Sequence, residues 1–136
     1  MTSGTAVIAL ALTFATVQSK PAPIQVTIDV KPGDNPTTLE PKREGMVPIA
    51  ILSTKQFDAT QVDPATVRGG AKGAEAGIFR SALEDINGDR LADMMLLFRV
   101  PELGLDCSGK SITVKGKTTD GKEFEGTESV SMVACN

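Results

Sequence analysis

The sequence IQVTIDV at residues 24–30 decides the fold class, because apolar and polar residues alternate strictly along it. The four apolar residues fall on one face of an extended chain, and the three polar residues fall on the other. This period of two predicts a β-strand with one buried face. The sequence KPGDNP at residues 31–36 is a cluster of turn-forming residues and ends the strand.

Strand patterns continue to the end of the chain, with almost no helical periodicity. Further strands are predicted at residues 46–54, 78–83, 94–100, 111–117 and 122–133. Pro48 places the first of these near a sheet edge or a bulge, because proline has no N–H to donate. Asp120 and Gly121 predict the turn of a hairpin between the last two. Many short strands with regular turns predict an all-β, immunoglobulin-like β-sandwich over residues 24–136.

Composition narrows the function classes. The chain of 136 residues contains no His, no Trp and no Tyr, and its net charge is −3. Histidine-based catalytic triads and histidine-ligated zinc sites are therefore excluded, and no enzyme activity is expected. An acidic chain without a basic block or aromatic platforms is not expected to bind nucleic acid.

The segment GLDCSGKS at residues 104–111 formally matches a phosphate-binding loop. Such a loop needs a following helix whose amides point at the phosphates. The next residues, ITVK, alternate and are β-branched, so they predict a strand. No nucleotide is expected as a partner.

The two cysteines indicate whether the protein functions in an oxidising or a reducing compartment. Cys107 and Cys135 stand too far apart for a Cys-x-x-Cys motif. One interpretation is a disulfide that closes a loop of 29 residues, counting both cysteines, in an oxidising compartment. The other is a pair of free structural thiols in a reducing one.

The strongest chemical motif is DINGDRLAD at residues 85–93. Oxygen-bearing groups recur at positions 1, 3, 5, 7 and 9, in the order in which a tight loop wraps a hard cation, and Ca²⁺ fits best. The glutamate that an EF-hand carries at position 12 is replaced by Leu96, and Arg90 stands where glycine is usual. A turn with solvated carboxylates is the alternative. The predicted metal ligands are Asp85, Asn87, Asp89, Asp93 and the carbonyl of Leu91.

The first nineteen residues contain an uncharged run, TAVIALALTFATV, at residues 5–17. It is too short to span a membrane as a helix, which takes about 20 residues. As a strand it would extend roughly 43 Å at about 3.3 Å per residue, with bulky and small side chains on opposite faces. The residues 20–23, KPAP, predict a semi-rigid linker behind it. The bulky residues, which are the predicted assembly contacts, are Ile8, Leu10, Leu12 and Phe14.

We call residues 1–19 the arm. Its pattern predicts a donor strand that completes the sheet of another copy. Two alternatives remain open: a first strand in the chain's own sheet, and an uncleaved signal or membrane-surface segment.

Six short motifs occur in a characteristic order: IDVKPG, VPIAIL, FD, VDPATV, DINGD and the two late cysteines. Over roughly residues 24–135 the chain resembles an uncharacterised β-sandwich module found at the carboxy-terminal ends of secreted bacterial proteins. The resemblance implies an extracellular, calcium-dependent, non-catalytic domain. It places the metal on Asp85, Asn87, Asp89 and Asp93, and the disulfide on Cys107 and Cys135.

Together these observations predict a structural subunit of an extracellular filament. The partner is the protein itself, joined head to tail by arm insertion, with no membrane span. The alternative is a monomeric secreted or surface calcium-binding module, for adhesion or as a carbohydrate-binding accessory, with a signal-like leader. The absence of Trp and Tyr weakens carbohydrate binding, because stacking on sugar rings normally uses them.

Overall fold

The computed structural model describes Gly4 and residues 20–136. This part of the chain is all-β, as the sequence predicted, with short 3-10 turns at Ala59–Gln61, Pro64–Thr66 and Val100–Leu103. The strands are β1 (Ile24–Gln25), β2 (Thr27–Val30), β3 (Thr38–Leu39), β4 (Met46–Leu52), β5 (Arg68–Gly70), β6 (Ala76–Gly77), β7 (Arg80–Glu84), β8 (Asp93–Arg99), β9 (Ser111–Lys117), β10 (Glu123–Ser129) and β11 (Ser131–Met132). The predicted assembly residues of the arm, Ile8, Leu10, Leu12 and Phe14, lie outside the described residues.

The strands form two main sheets arranged like a sandwich. One has five strands in the order β1-β10-β9-β5-β6, and the other has four in the order β2-β4-β8-β7. A small third sheet pairs β11 with β3. The core lies between the two main sheets, and its largest fully buried side chains are Phe98, Phe124, Ile49, Ile51, Leu96, Leu103 and Ile112.

The sheets approach each other closely at Gly69. A Cβ atom at this position in β5 would lie 2.9 Å from the ring of Phe98 in β8. Glycine therefore makes room for the largest side chain of the facing sheet. Among residues 20–136, no helix has the length and hydrophobicity needed to cross a lipid bilayer.

The predicted strand at residues 24–30 is divided between the two sheets. Its first half, β1, pairs in parallel with β10, and its second half, β2, pairs antiparallel with β4. At the crossing, the N–H of Val26 donates to the carbonyl of Glu125 at 2.9 Å. Gly126 lies beneath it, where a Cβ atom would come within 2.7 Å of the Val26 carbonyl oxygen. Alternation of apolar residues continues through such a crossing, so it carries no sign of the change of sheet.

Pro48 corrects another expectation. It lies in β4, which is a central strand between β2 and β8 rather than an edge strand. The last residue of β2 to pair with β4 is Val30, opposite Ile49. Beyond it, the carbonyl of Pro48 accepts from the N–H of Lys31 at 2.8 Å. The nitrogen of Pro48 faces the same side, where β2 has ended, so the missing N–H breaks no ladder bond.

Four predicted strands also have different bounds in the structure. The strand expected at 46–54 is β4, Met46–Leu52, and the strand expected at 94–100 is β8, Asp93–Arg99. The strand expected at 78–83 is β7, Arg80–Glu84, and the strand expected at 122–133 divides into β10 and β11. The division occurs at Val130, whose N–H donates to Lys110, while the next residue, Ser131, donates to Thr37 near β3. The predicted hairpin between β9 and β10 is confirmed.

The outward faces of the two main sheets differ in polarity. Residues paired across neighbouring strands point to the same face, so the register identifies each outward set. On the five-stranded sheet this set is polar: Gln25, Arg68, Thr113, Lys115, Lys117, Glu123, Glu125 and Thr127. On the two central strands of the four-stranded sheet, β4 and β8, the outward residues between the ends of β8, Asp93 and Arg99, are apolar. They are Met46, Pro48, Ala50 and Leu52 in β4, and Met95 and Leu97 in β8. We call this second set the apolar strip.

Candidate metal centre

The predicted calcium loop joins two neighbouring strands of the four-stranded sheet. Glu84 ends β7 and pairs with Asp93, which begins β8, so residues 85–92 form the loop of a hairpin. Asp85, Asp89 and Asp93 each offer one carboxylate oxygen, and the three oxygens lie within 4.8 Å of one another. The structure thus brings together three of the predicted ligands.

Asp85 organises the turn of the loop. Its Oδ1 accepts a hydrogen bond from the N–H of Gly88 at 2.9 Å, and its Oδ2 accepts one from the N–H of Arg90 at 2.9 Å. Both donors have positive φ, 75° at Gly88 and 71° at Arg90. The left-handed backbone expected at loop position 6 is therefore present although arginine occupies it, at some steric cost.

Asn87 and Asp89 continue the wrap with the short hydrogen bonds that such side chains make to backbone two residues ahead. The Asn87 side-chain oxygen accepts from the N–H of Asp89 at 3.3 Å, and Asp89 Oδ1 accepts from the N–H of Leu91 at 2.9 Å. Asn87, Asp89 and Leu91 are all exposed. The clustered oxygens belong to Asp85, Asp89 and Asp93, and the Asn87 amide and the Leu91 carbonyl stay predicted ligands.

Asp93 fixes the loop to the body of the domain. It is fully buried, at 0% exposure. Its Oδ1 accepts from the N–H of Ser53 at 2.8 Å, and its Oδ2 accepts from the N–H of Ile86 at 2.8 Å. One carboxylate thus joins the start of the loop to the segment that follows β4.

Ser53 is a supporting residue that the sequence did not indicate. Its hydroxyl donates to the carbonyl of Ala92 at 2.7 Å and accepts from the N–H of Ala59 at 2.9 Å. It lies 40 residues before Asp93, and no local pattern connects the two. The one feature of the sequence that could have indicated Ser53 is that it is the first polar residue after the buried run of β4.

The electrostatics of the cluster favour a cation. Each of the three aspartates accepts one or two backbone N–H groups, which orient its oxygens. Yet no Lys or Arg forms an ion pair with them among residues 20–136, and like charges this close repel. A hard divalent cation would replace that repulsion with attraction.

The disulfide and the segment that resembles a phosphate-binding loop both lie beyond the far end of β8. Cys107 and Cys135 form a disulfide with 5.8 Å between their Cα atoms, so the interpretation with free thiols is wrong. The bond ties the chain just before β9 to the residues that follow β11. The segment resembling a phosphate-binding loop, residues 104–111, leads into strand β9, as its alternation predicted.

Comparisons of the chain with models of protein families, with curated proteins and with solved structures gave no match.

Proposed function

We propose that the protein is a structural subunit of an extracellular filament, with an immunoglobulin-like sandwich and a bound Ca²⁺ in loop 85–93. The arm of each copy inserts as a strand into the next copy. Because donor and acceptor surfaces differ, such a contact repeats head to tail and produces a filament unless the rotation closes a ring.

The observation that carries this proposal is the apolar strip. The outward face of the five-stranded sheet is polar, as expected of a surface in water, whereas the central outward face of the other sheet is not. Met46, at the end of the strip, is 43% exposed, and the rest of the strip is half-buried except for Ala50, which is buried. A partly exposed apolar patch on the outward face of a sheet is typical of a surface that another chain covers.

The disulfide supports the extracellular part of the proposal. Disulfides persist in oxidising compartments and are rare where thiols are kept reduced. The bond between Cys107 and Cys135 therefore favours a protein that functions outside the cytoplasm.

Calcium binding is supported by the three clustered carboxylates and by their order in the loop. Because Ca²⁺ takes only oxygen ligands at 2.3–2.6 Å, it suits a loop that offers carboxylates, an amide and a carbonyl. Binding to the folded state alone would stabilise the domain by mass action, by about 2.7 kcal/mol at a concentration one hundred times Kd.

The calcium proposal is tested by thermal unfolding. Excess Ca²⁺ should raise the Tm of the full chain, and a chelator should reverse the rise. Asp89→Ala should abolish this response because it removes one of the three carboxylates. Asp106→Ala, which removes an exposed aspartate from another loop, should leave the response intact. Identical melting curves in Ca²⁺ and in chelator would refute the metal site.

The filament proposal is tested by a pair of substitutions in the arm. Leu10→Asp would place a carboxylate where the bulky face of the arm is buried, so it should abolish assembly. Ala11→Ser, on the small face, should have a much weaker effect. Sedimentation velocity of the two full-length variants measures the difference, and equal assembly of both would refute burial of the bulky face.

The alternative is a monomeric secreted or surface calcium-binding module with a signal-like leader. It predicts that the full chain sediments as a monomer while its Tm still responds to Ca²⁺. The two experiments together therefore separate the alternative from the filament.

A further inference from the structure

Strand β7 is an edge strand of the four-stranded sheet within residues 20–136. It is the last strand of that sheet, and no other strand among these residues pairs with its outer side. Four of its five residues are exposed, and the fifth, Ser81, is half-buried. Charges stand only at its ends, on Arg80 and Glu84, so nothing in the middle of the strand discourages pairing with another chain.

The other edges of the two main sheets are less suited to pairing with a strand of a second chain. β6 is only two residues long. At the end of β2, the N–H of Val30 donates to Glu128 Oε2 at 3.0 Å and its carbonyl accepts from the Thr37 hydroxyl at 3.4 Å. The parallel pairing of β1 with β10 leads directly into the linker, residues 20–23.

On the core side of β7, the side chain of Leu83 is more exposed than that of its neighbour in β8. Leu83 pairs with Met94, so the two side chains point to the same face of the sheet. Met94 belongs to the core and is 4% exposed, whereas Leu83 is 54% exposed. The facing sheet ends with the short strand β6 and does not cover Leu83 as it covers Met94. A strand beside β7 would place its own side chains next to Leu83.

The outward side of β7 carries one small apolar residue, Ala82, between the charged residues Arg80 and Glu84. Ala82 pairs with Met95 of the apolar strip and is exposed. At the middle of β7, a neighbouring strand would therefore meet a bulky apolar residue on the core side and a small one on the outward side. This is the asymmetry of residues 5–17, which are bulky on one face, small on the other and uncharged throughout.

We propose that the outer edge of β7 receives residues 5–17 of a second copy, with the bulky face beside Leu83 and the small face beside Ala82. The proposal rests on the proposed function and specifies its acceptor site. Pairing with β7 takes about 17 Å of strand, less than half of the roughly 43 Å that the segment can extend, so the rest can bridge the two copies.

The position of the linker supports a second copy as the donor. Lys20 Nζ lies 2.8 Å from a carboxylate oxygen of Glu123, and Ile24 pairs with Phe124. The linker therefore leaves the domain at the β1 edge, while β7 lies at the other side of the sandwich. The prolines Pro21 and Pro23 favour an extended linker that directs the arm away from its own domain.

Disulfide trapping between two full-length chains tests this site. One chain carries Leu83→Cys and the other carries Leu10→Cys or Leu12→Cys, and the mixture is oxidised under conditions that keep the native disulfide. Neighbouring strands bring same-face Cα atoms within bonding range, so a covalent heterodimer is expected. With Ala82→Cys in the acceptor, the expected partners change to Ala9→Cys or Ala11→Cys. Thr27→Cys, exposed on β2 at the opposite edge, is the matched control and should not cross-link.

A second variant distinguishes a loss of assembly from a loss of folding. Because Leu83 is exposed, Leu83→Glu should keep the Tm of the unassembled domain and still abolish assembly. Cross-links to Thr27→Cys, cross-links inside a single chain that carries both Leu83→Cys and Leu10→Cys, or filaments that form without a cross-link to β7 would each overturn this acceptor site. The last of these would leave the proposed function in place. A chain that neither cross-links nor assembles would contradict both.

Discussion

Asp93 differs from the other two aspartates of the loop because it also holds the folded domain together. It is fully buried and accepts the N–H groups of Ser53 and Ile86 at 2.8 Å each. The spacing of the motif predicted that Asp93 would join Asp85 and Asp89. Its second role, as an acceptor for a distant segment, could not be predicted because it depends on a contact formed only in the folded chain.

Two alanine substitutions separate these roles. Asp93→Ala leaves one buried and one half-buried N–H donor without an acceptor, so in chelator it should lower the free energy of unfolding by about 2–4 kcal/mol. Asp89→Ala removes an exposed side chain and should cost less than about 1 kcal/mol under the same conditions. Urea denaturation measures both. Equal losses would show that Asp93 has no structural role beyond that of its exposed neighbour.

Glu128 is a carboxylate directed toward the core. Burial raises its pKa above the ordinary value, and the nearby Asp29 charge adds to the rise, while the hydrogen bond from the N–H of Val30 opposes it. A raised folded-state pKa means that its stabilising contribution is complete below the unfolded-state pKa. That contribution is lost as the pH rises through the folded-state pKa.

We therefore expect Glu128→Gln to gain stability relative to the native chain as the pH rises from about 4 to about 7. The Gln side-chain oxygen can still accept from Val30, so the comparison isolates the charge. Urea midpoints of both chains across this range measure the gain. A constant difference between the two chains would contradict the unfavourable burial of the charge.

At the level of elements, the sequence predicted which segments are strands better than how they pair. Strand β9 was predicted with its observed bounds, Ser111–Lys117, because alternation and turn residues are local signals. The division of residues 24–30 between two sheets was not predicted, because the pattern of buried residues is the same in both. The expectation that Pro48 lies near a sheet edge was wrong for a related reason. A central strand tolerates proline where the neighbouring strand has already ended, and that end depends on how the strands pair.

The disulfide joins the chain just before β9 to the residues that follow β11. Replacing both Cys107 and Cys135 with Ser should lower the free energy of unfolding by roughly 3–4 kcal/mol, because the open chain gains entropy when unfolded. Reduction of the native protein should produce a similar loss, which controls for the substitutions themselves. Intact mass of the untreated protein should be two protons below the reduced mass. Unchanged urea midpoints after reduction would contradict a stabilising role.

At the scale of the whole molecule, one sheet carries two partly exposed apolar features. The apolar strip runs along its central strands, where most of its residues are half-buried, and Leu83 is 54% exposed at its β7 edge. Neither was evident in the sequence, because outward and inward apolar residues look alike until the sheets are assembled. The arm stays a prediction, made from an uncharged alternating pattern that is local. Each bulky arm residue buried in a neighbour would contribute roughly 1.5–3 kcal/mol before the cost of ordering the arm.

Self-assembly through the arm is the main proposal for this protein, and negative-stain electron microscopy shows its presence or absence. Full-length protein and a variant without residues 1–19 are imaged side by side, after circular dichroism has shown that both are folded. We predict filaments of the full-length protein and isolated particles of the shortened one. Filaments formed equally well without the arm, or a full-length protein that stays monomeric at every concentration tested, would contradict it.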